Sequence, residues 1–303
     1  MRIFADRDLN DPPLAAMRAA IARYVAADAR GETVSPPRHV VEIGDGSLVF
    51  TIGGGHGIAG FRVYQTFAKP GNPADTQIVA AWDQASAELK AIALGNRLGA
   101  LRTGCVGGVA VDTMAPRGAK TLAVIGAGRQ AEAQLIGIAG TRAFRAVRIW
   151  ARHGEAAGGL VARVAPRYPD AAVEAAPSAQ DALRDAEVVI LATAATTPPV
   201  EAEWVSAFAH VTTLGPSARD GHELPLALAR QAVVIATDSP QQIVEMGDRH
   251  MLAGTQDGGR IEHLGALIGA FDPDASRGLT LFLSIGLAGT EVAALAAIEE
   301  NAR

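Results

Sequence analysis

The stretch Thr121-Leu122-Ala123-Val124-Ile125-Gly126-Ala127-Gly128-Arg129-Gln130-Ala131 limits the fold more than any other segment. Five residues of buried-strand character run directly into a glycine turn, and helix-forming residues follow. In a strand–turn–helix unit the first glycine, Gly126, permits the tight turn. The second, Gly128, lets the backbone approach a pyrophosphate, and Ala131 stands where a small residue allows close helix packing. Free N–H groups at the start of the helix then point at the phosphates. The spacing predicts cofactor contacts from Gly126, Ala127, Gly128, Arg129 and Gln130.

The pattern around this motif supports the reading. Beyond Pro116, strand-like runs at 121–125, 146–151, 171–175, 187–193, 210–214 and 232–237 alternate with helical stretches at 129–140, 155–165 and 178–185. Such alternation implies a doubly wound parallel sheet, the Rossmann arrangement, within an α/β protein. Before it, residues 8–30 read as a helix. The short apolar segments 40–43, 47–52, 59–67 and 77–82 read as an antiparallel sheet with hairpins, and the Ala- and Leu-rich stretch 85–113 as one or two helices. The end of the chain, 279–303, finds no place in the alternating pattern and is assigned to the first domain. The expected division is therefore 1–115 with 279–303, and 116–278.

Bulk properties narrow the class. The chain has 303 residues, 49% hydrophobic and 19% charged, with a net charge of -5 and one cysteine, Cys105. Two domains suit this length. No internal disulfide can form, which fits a reducing compartment. No basic stripe marks a nucleic-acid partner. Asp6 and Asp8 interrupt the N-terminal region where a secretory apolar core would lie, and no apolar run approaches membrane-spanning length. A cytoplasmic protein is expected. The histidines are too dispersed to suggest a metal site.

The residues after the second Rossmann strand bear on cofactor choice. An acidic residue there accepts the ribose 2′-hydroxyl, whereas arginine accommodates a 2′-phosphate. Here Arg152 follows Trp150-Ala151, and no carboxylate occurs before Glu155. NADP is favoured, with NAD possible.

Motifs spread along the chain carry a family resemblance. These are Ser35-Pro36-Pro37-Arg38, Arg102-Thr103-Gly104, the 124–131 glycine motif, Ile149-Trp150-Ala151-Arg152, the segment LGPSARDGHELP at 214–225 and LFLSIGLAGTEVAALA at 281–296. Together they are similar to the ornithine cyclodeaminase/mu-crystallin family over nearly the whole length. The resemblance implies a Rossmann domain beside a second α/β domain built from both chain ends, which binds substrate and forms a homodimer. It implies small amino- or imino-acid substrates carrying a carboxylate. By the same resemblance Arg38 and Arg102 grip that carboxylate, and Thr103, Thr193, Ser284 and Gln77 lie near the cofactor.

Two positions depart from the family pattern. Arg62 stands where the family has an active-site lysine, and Ser217 where the cyclodeaminases have a catalytic aspartate. Arginine does not exchange protons near neutral pH, and a serine hydroxyl without a base is a poor acid. Arg62 therefore reads as a third carboxylate clamp, with His56 as a candidate proton donor. The reading is an NADP-dependent reductase of a small cyclic ketimine or imino acid, or an amino-acid dehydrogenase. The alternatives are ornithine cyclodeamination, or a nucleotide-bound protein without turnover that binds a small ligand. Glu223 is expected in the first turn of a helix, where its charge suits the dipole.

Overall fold

The structure is a computed structural model describing residues 1–67 and 76–302. It divides into two compact units, 1–105 with 286–303, and 106–285. Among the described residues no helix is long and apolar enough to cross a membrane.

The strands of the first unit are β1 (Arg2–Ala5), β2 (His39–Ile43), β3 (Gly46–Gly55), β4 (Ile58–Gln65), β5 (Gln77–Asp83) and β6 (Leu89–Gly95). They form one six-stranded sheet in the order β1-β6-β5-β4-β3-β2. β2 to β6 make an antiparallel meander, and β1 adds in parallel to β6. The stretch read as helical from residue 85 thus opens with a strand. Its alanines account for the difference: Ala91 and Ala93 are buried on one face of β6, and their helix propensity gives way to sheet packing. Helix α1 (Leu14–Ala29) and the C-terminal helix, Thr290–Asn301, pack on one another, and the C-terminal helix lies on β3 to β6. Its approach is made possible by glycine. Gly289 caps the helix at φ 88°, and a side-chain carbon at Gly53 would lie 2.3 Å from Gly289 Cα.

Helix α2 (Arg97–Met114) crosses the boundary at residue 105. The second unit is built on an all-parallel, eight-stranded sheet. Its strands are β7 (Thr121–Ile125), β8 (Ala146–Trp150), β9 (Ala172–Ala175), β10 (Val188–Leu191), β11 (His210–Thr213), β14 (Val234–Thr237), β15 (Ile261–His263) and β16 (Thr280–Leu283). β12 (Ser217–Ala218) and β13 (Gly221–His222) form a separate small hairpin. The order β9-β8-β7-β10-β11-β16-β14-β15 reverses direction between β7 and β10, the topological switch point at which open α/β sheets bind ligands. Helices α3 (Arg129–Ile138), α4 (Gly154–Val164), α5 (Ala179–Leu183), α6 (Leu226–Gln231), α7 (Pro240–Met246) and α8 (Leu264–Leu267) belong to this unit, and the C-terminal helix is α9. The expected boundary at 278 moves. β16 pairs with both β11 and β14, so 279–285 belong to the second unit. Leu281 and Leu283 find a fully apolar slot there.

His210 lies wholly inside this sheet. Its Nδ1 meets Thr280 Oγ1 at 2.9 Å and its Nε2 meets Thr212 Oγ1 at 3.0 Å. Thr280 donates its own hydroxyl proton to the Met114 carbonyl, so His210 donates through Nδ1 and accepts through Nε2. Burial, with the Arg142 charge adding to it, pushes the ring down from 6.5 to about 3. The folded ring stays neutral while the unfolded one protonates near 6.5. Stability is therefore full above that value and drops as pH falls toward 3, by about 1.4 kcal/mol per pH unit. Between about pH 7 and 4.5, His210→Gln is expected to lose about 2.5 kcal/mol less than the natural chain in chemical unfolding. Equal losses would show that His210 plays no such part.

Candidate active site

In the second unit the glycine motif has the geometry a pyrophosphate cradle needs. Gly126 follows β7 at φ 123°, and a side-chain carbon there would lie 2.3 Å from the Ala192 carbonyl at the end of β10. Only glycine permits the two strand ends to approach this closely. Gly128 caps α3, and nothing lies within 4 Å of where its side chain would begin. The space for a phosphate is open, and the N–H groups of Arg129 and Gln130 open the helix beneath it. Ala131 is fully buried against the sheet. The residues present fit a dinucleotide. Arg152 is exposed two residues past β8, and Glu155, the first carboxylate after that strand, already stands in α4.

The loops beyond β10 and β11 are held by a single buried carboxylate. Glu223 Oε2 accepts from the backbone N–H and the hydroxyl of Thr193, at 2.7 and 2.8 Å. Glu223 Oε1 accepts from the Thr213 hydroxyl and from the N–H groups of Leu214 and Gly215. This corrects the expectation for Glu223, because α6 begins only at Leu226 and the side chain points inward. Thr193 also accepts from the Ala195 N–H, so its hydroxyl is committed to shaping the loop. Ser284, directly after β16, donates its N–H to the Thr213 carbonyl at 3.0 Å. Ser217 is half-buried at the start of the β12–β13 hairpin.

The first unit contains a buried charge cluster. Arg62, on β4, donates through Nη1 to Glu291 Oε1 at 2.9 Å and through Nε to Gln77 Oε1 at 2.9 Å. Arg102, on α2, donates through Nη2 to the same Glu291 oxygen. The Arg62 guanidinium also lies over the Tyr64 ring, 4.5 Å from its centre. The side chains of Arg62, Arg102 and Glu291 are 17%, 8% and 3% exposed. Burial alone would push the Glu291 carboxyl up, but the Arg102 and Arg62 charges outweigh it and hold it below the usual carboxylate range. Burial lowers the Arg62 guanidinium from its ordinary value, with Glu291 opposing. Glu291 also stands in the first turn of α9, where the helix dipole favours an anion.

The remaining expected residues fall into place around this cluster or away from it. Arg38 is exposed and directly precedes β2. His39 pairs with Phe50, and Thr51 pairs with Arg62, so extending the register places Arg38 in the same row as Arg62. Gln77 supports Arg62, a role distinct from the expected cofactor contact. Thr103 donates its hydroxyl to the Gly99 carbonyl within α2. His56 is not part of the cluster. It occupies the β3–β4 turn at φ 53° and meets Glu32 at 3.1 Å. Arg62 lies four residues up the strand from Ile58, roughly 13 Å along it. Sequence reasoning missed Glu291 altogether. Its one signal was a lone acid in an otherwise Ala-rich apolar stretch, a position where a charge needs a buried partner.

Comparison with known proteins gives the family and the fold. The ornithine cyclodeaminase/mu-crystallin family model matches residues 14–303. The chain belongs to that family. It is 30% identical over 231 residues to the ketimine reductase mu-crystallin of Mus musculus, covering 76% of this chain and 71% of that protein. It is 29% identical over 228 residues to the iminosuccinate reductase of Paracoccus denitrificans, covering 73% of this chain and 69% of that protein. The solved structure of that iminosuccinate reductase with NAD+ superposes with a TM-score of 0.86 at 26% identity, over 99% of this chain and 95% of the other. The Thermococcus litoralis Delta(1)-pyrroline-2-carboxylate reductase, solved with NADH and L-proline, shares the fold at a TM-score of 0.82 and 21% identity, over 100% and 97% of the two chains.

Proposed function

We propose that this protein reduces a small imine or ketimine bearing a carboxylate, with NADPH as the preferred cofactor. The observation that carries this reading is the Arg62–Glu291–Arg102 cluster. Two guanidinium groups balanced by one carboxylate leave a net positive charge in a mostly buried place. The planar guanidinium fork matches a substrate carboxylate. Gln77 fixes the orientation of Arg62, and Arg38 adds a third cation from the same row of the sheet. The similar mouse and Paracoccus proteins, named as reductases of ketimines and of iminosuccinate, support the same reaction class.

The protonation states decide between reduction and deamination. Arginine and glutamine side chains do not exchange protons near neutral pH, and the two arginine charges hold the Glu291 carboxyl below the usual carboxylate range. The cluster therefore holds no acid or base that cycles near neutral pH, and His56 stands apart at the hairpin turn. An imine that arrives with its nitrogen already protonated asks for none. A nicotinamide dinucleotide held at the Gly126–Gln130 turn would supply the hydride that such an imine needs. Cyclodeamination also requires proton transfers at nitrogen and loss of ammonia, and Ser217 and Arg62 replace the family residues suited to that work.

The main-chain N–H groups from Gly126 to Gln130 hold the phosphates in this reading, and Arg152 pairs with a 2′-phosphate. Removing a charge-assisted pair costs roughly 1.5–3 kcal/mol, or about ten- to a hundredfold in affinity. With a panel of cyclic ketimine carboxylates, the protein is expected to oxidise NADPH faster than NADH. Arg152→Ala should erase that preference, and ornithine should yield little proline or ammonia. Equal use of the two cofactors would show that Arg152 does not choose between them. Rapid ammonia release from ornithine would overturn the choice of reaction.

We also propose that two copies pair through the outer face of the first unit's sheet. Ile3, Ile52, Ile78 and Leu94 are 57%, 53%, 39% and 41% exposed. Strand register puts Ile52, Phe61, Val63, Ile78, Leu94 and Ile92 on the face opposite the Arg62 side. An apolar sheet face this broad is stable when buried against another layer, and the family resemblance makes a second copy the occupant. Light scattering should report twice 31.2 kDa, and Ile78→Asp should shift the protein toward monomer. A monomeric natural chain at micromolar concentration contradicts the pairing.

A further inference from the structure

The Glu291 carboxylate is used on one side only. Oε1 takes both guanidinium groups, Arg62 Nη1 and Arg102 Nη2. Oε2 is buried and has no hydrogen-bond partner among the described residues. A carboxylate oxygen carries two lone pairs, and leaving a buried one unmet is costly. The oxygen therefore offers an unused acceptor and part of a negative charge beside two carboxylate-gripping arginines.

A pocket of arginines alone would draw in any carboxylate. It would favour anions such as 2-oxo and 2-hydroxy acids as readily as imino acids, and it would repel a cationic nitrogen. Glu291 changes this balance. It removes one unit of positive charge from the pair and presents an acceptor for an N–H donor. The carboxylate of a ligand still meets guanidinium, while a protonated nitrogen next to that carboxylate meets an anion.

We propose that Glu291 is a specificity-determining residue, which makes the pocket select zwitterions, that is iminium or ammonium carboxylates, over simple carboxylate anions of the same shape. This inference rests on the reading of the Arg62–Glu291–Arg102 cluster as the substrate-carboxylate pocket. It goes further by naming the charge form of the substrate and the residue that chooses it. A change of one unit charge at a few ångströms, at an effective dielectric of about 20, is worth more than about tenfold in affinity. The protein consequently rejects the 2-oxo acid from which an imino acid forms by condensation with an amine.

The test uses two ligands of nearly one shape, L-proline and (S)-tetrahydrofuran-2-carboxylate, which differ in a charged NH2 group against an ether oxygen. Each is titrated calorimetrically into the 303-residue protein saturated with NADP+. The natural chain is expected to prefer proline by at least about tenfold. Glu291→Gln is expected to tighten the ether acid and bring the ratio of the two affinities close to one. Glu291→Asp, which keeps the charge, is expected to keep proline ahead. A purely structural role would weaken both ligands together in Glu291→Gln and leave the ratio unchanged, and that result overturns the proposal. Equal binding of the two ligands by the natural chain overturns it without any variant. Failure of the natural chain to bind either ligand at millimolar concentration overturns the pocket reading itself, and this inference with it.

Discussion

Glu291 is the residue on which the first unit's chemistry depends. Two guanidinium groups cannot be buried side by side under a helix without an anion, because the cost of removing unpaired charge from water exceeds what packing returns. The carboxylate that resolves this comes from the far end of the chain, on α9. It reaches β4 and α2 because Gly53 and Gly289 let the start of α9 close onto the sheet. The discontinuity of this unit is thus a chemical requirement as well as a topological one. The N-terminal sheet and α2 supply the cations, and the C-terminal helix supplies the anion.

The second unit uses a buried carboxylate for a different purpose. Glu223 is bonded to neutral donors. It satisfies five of them from two loops, at Thr193 and at 213–215. Those loops leave the carboxyl ends of β10 and β11, beside the switch point where Gly126 abuts the Ala192 carbonyl. Hydrogen bonds to a carboxylate are stronger than neutral ones, so one side chain holds the rim of the proposed cofactor crevice. A parallel sheet needs such a device, since its loops carry the binding groups and its strands cannot reach them.

The dinucleotide unit was legible because its signals are local. The strand, the glycine turn and the helix follow one another, and each obeys a short-range rule. Family resemblance singled out Arg62 and Arg102, which the fold brings together on Glu291, and Arg152 was singled out by its position after β8, where it is exposed. What escaped was non-local. Residues 89–95 read as helix because alanine favours helices, and only the packing of α9 makes Ala91 and Ala93 strand residues. β16 looked unpartnered because its neighbours in the sheet come from much earlier in the chain: Thr280 is matched by His210 on β11 and by Val234 on β14. Glu223 and Glu291 each lie near a helix start, where a surface role explains an acid well enough. Their buried partners come from distant segments that no periodicity connects.

At the centre stands the arginine pair locked by Glu291, which we propose captures the substrate carboxylate independently of the dinucleotide cradle. The most direct measurement compares Arg102→Gln with the natural chain, following by titration the affinity for a cyclic amino-acid carboxylate and, separately, for NADPH. Carboxylate affinity is expected to fall by about thirtyfold or more, since truncating one partner of a buried charge pair costs about 2–5 kcal/mol, while NADPH affinity stays within about twofold. A folded Arg102→Gln protein that binds the carboxylate as tightly as the natural chain would contradict the account.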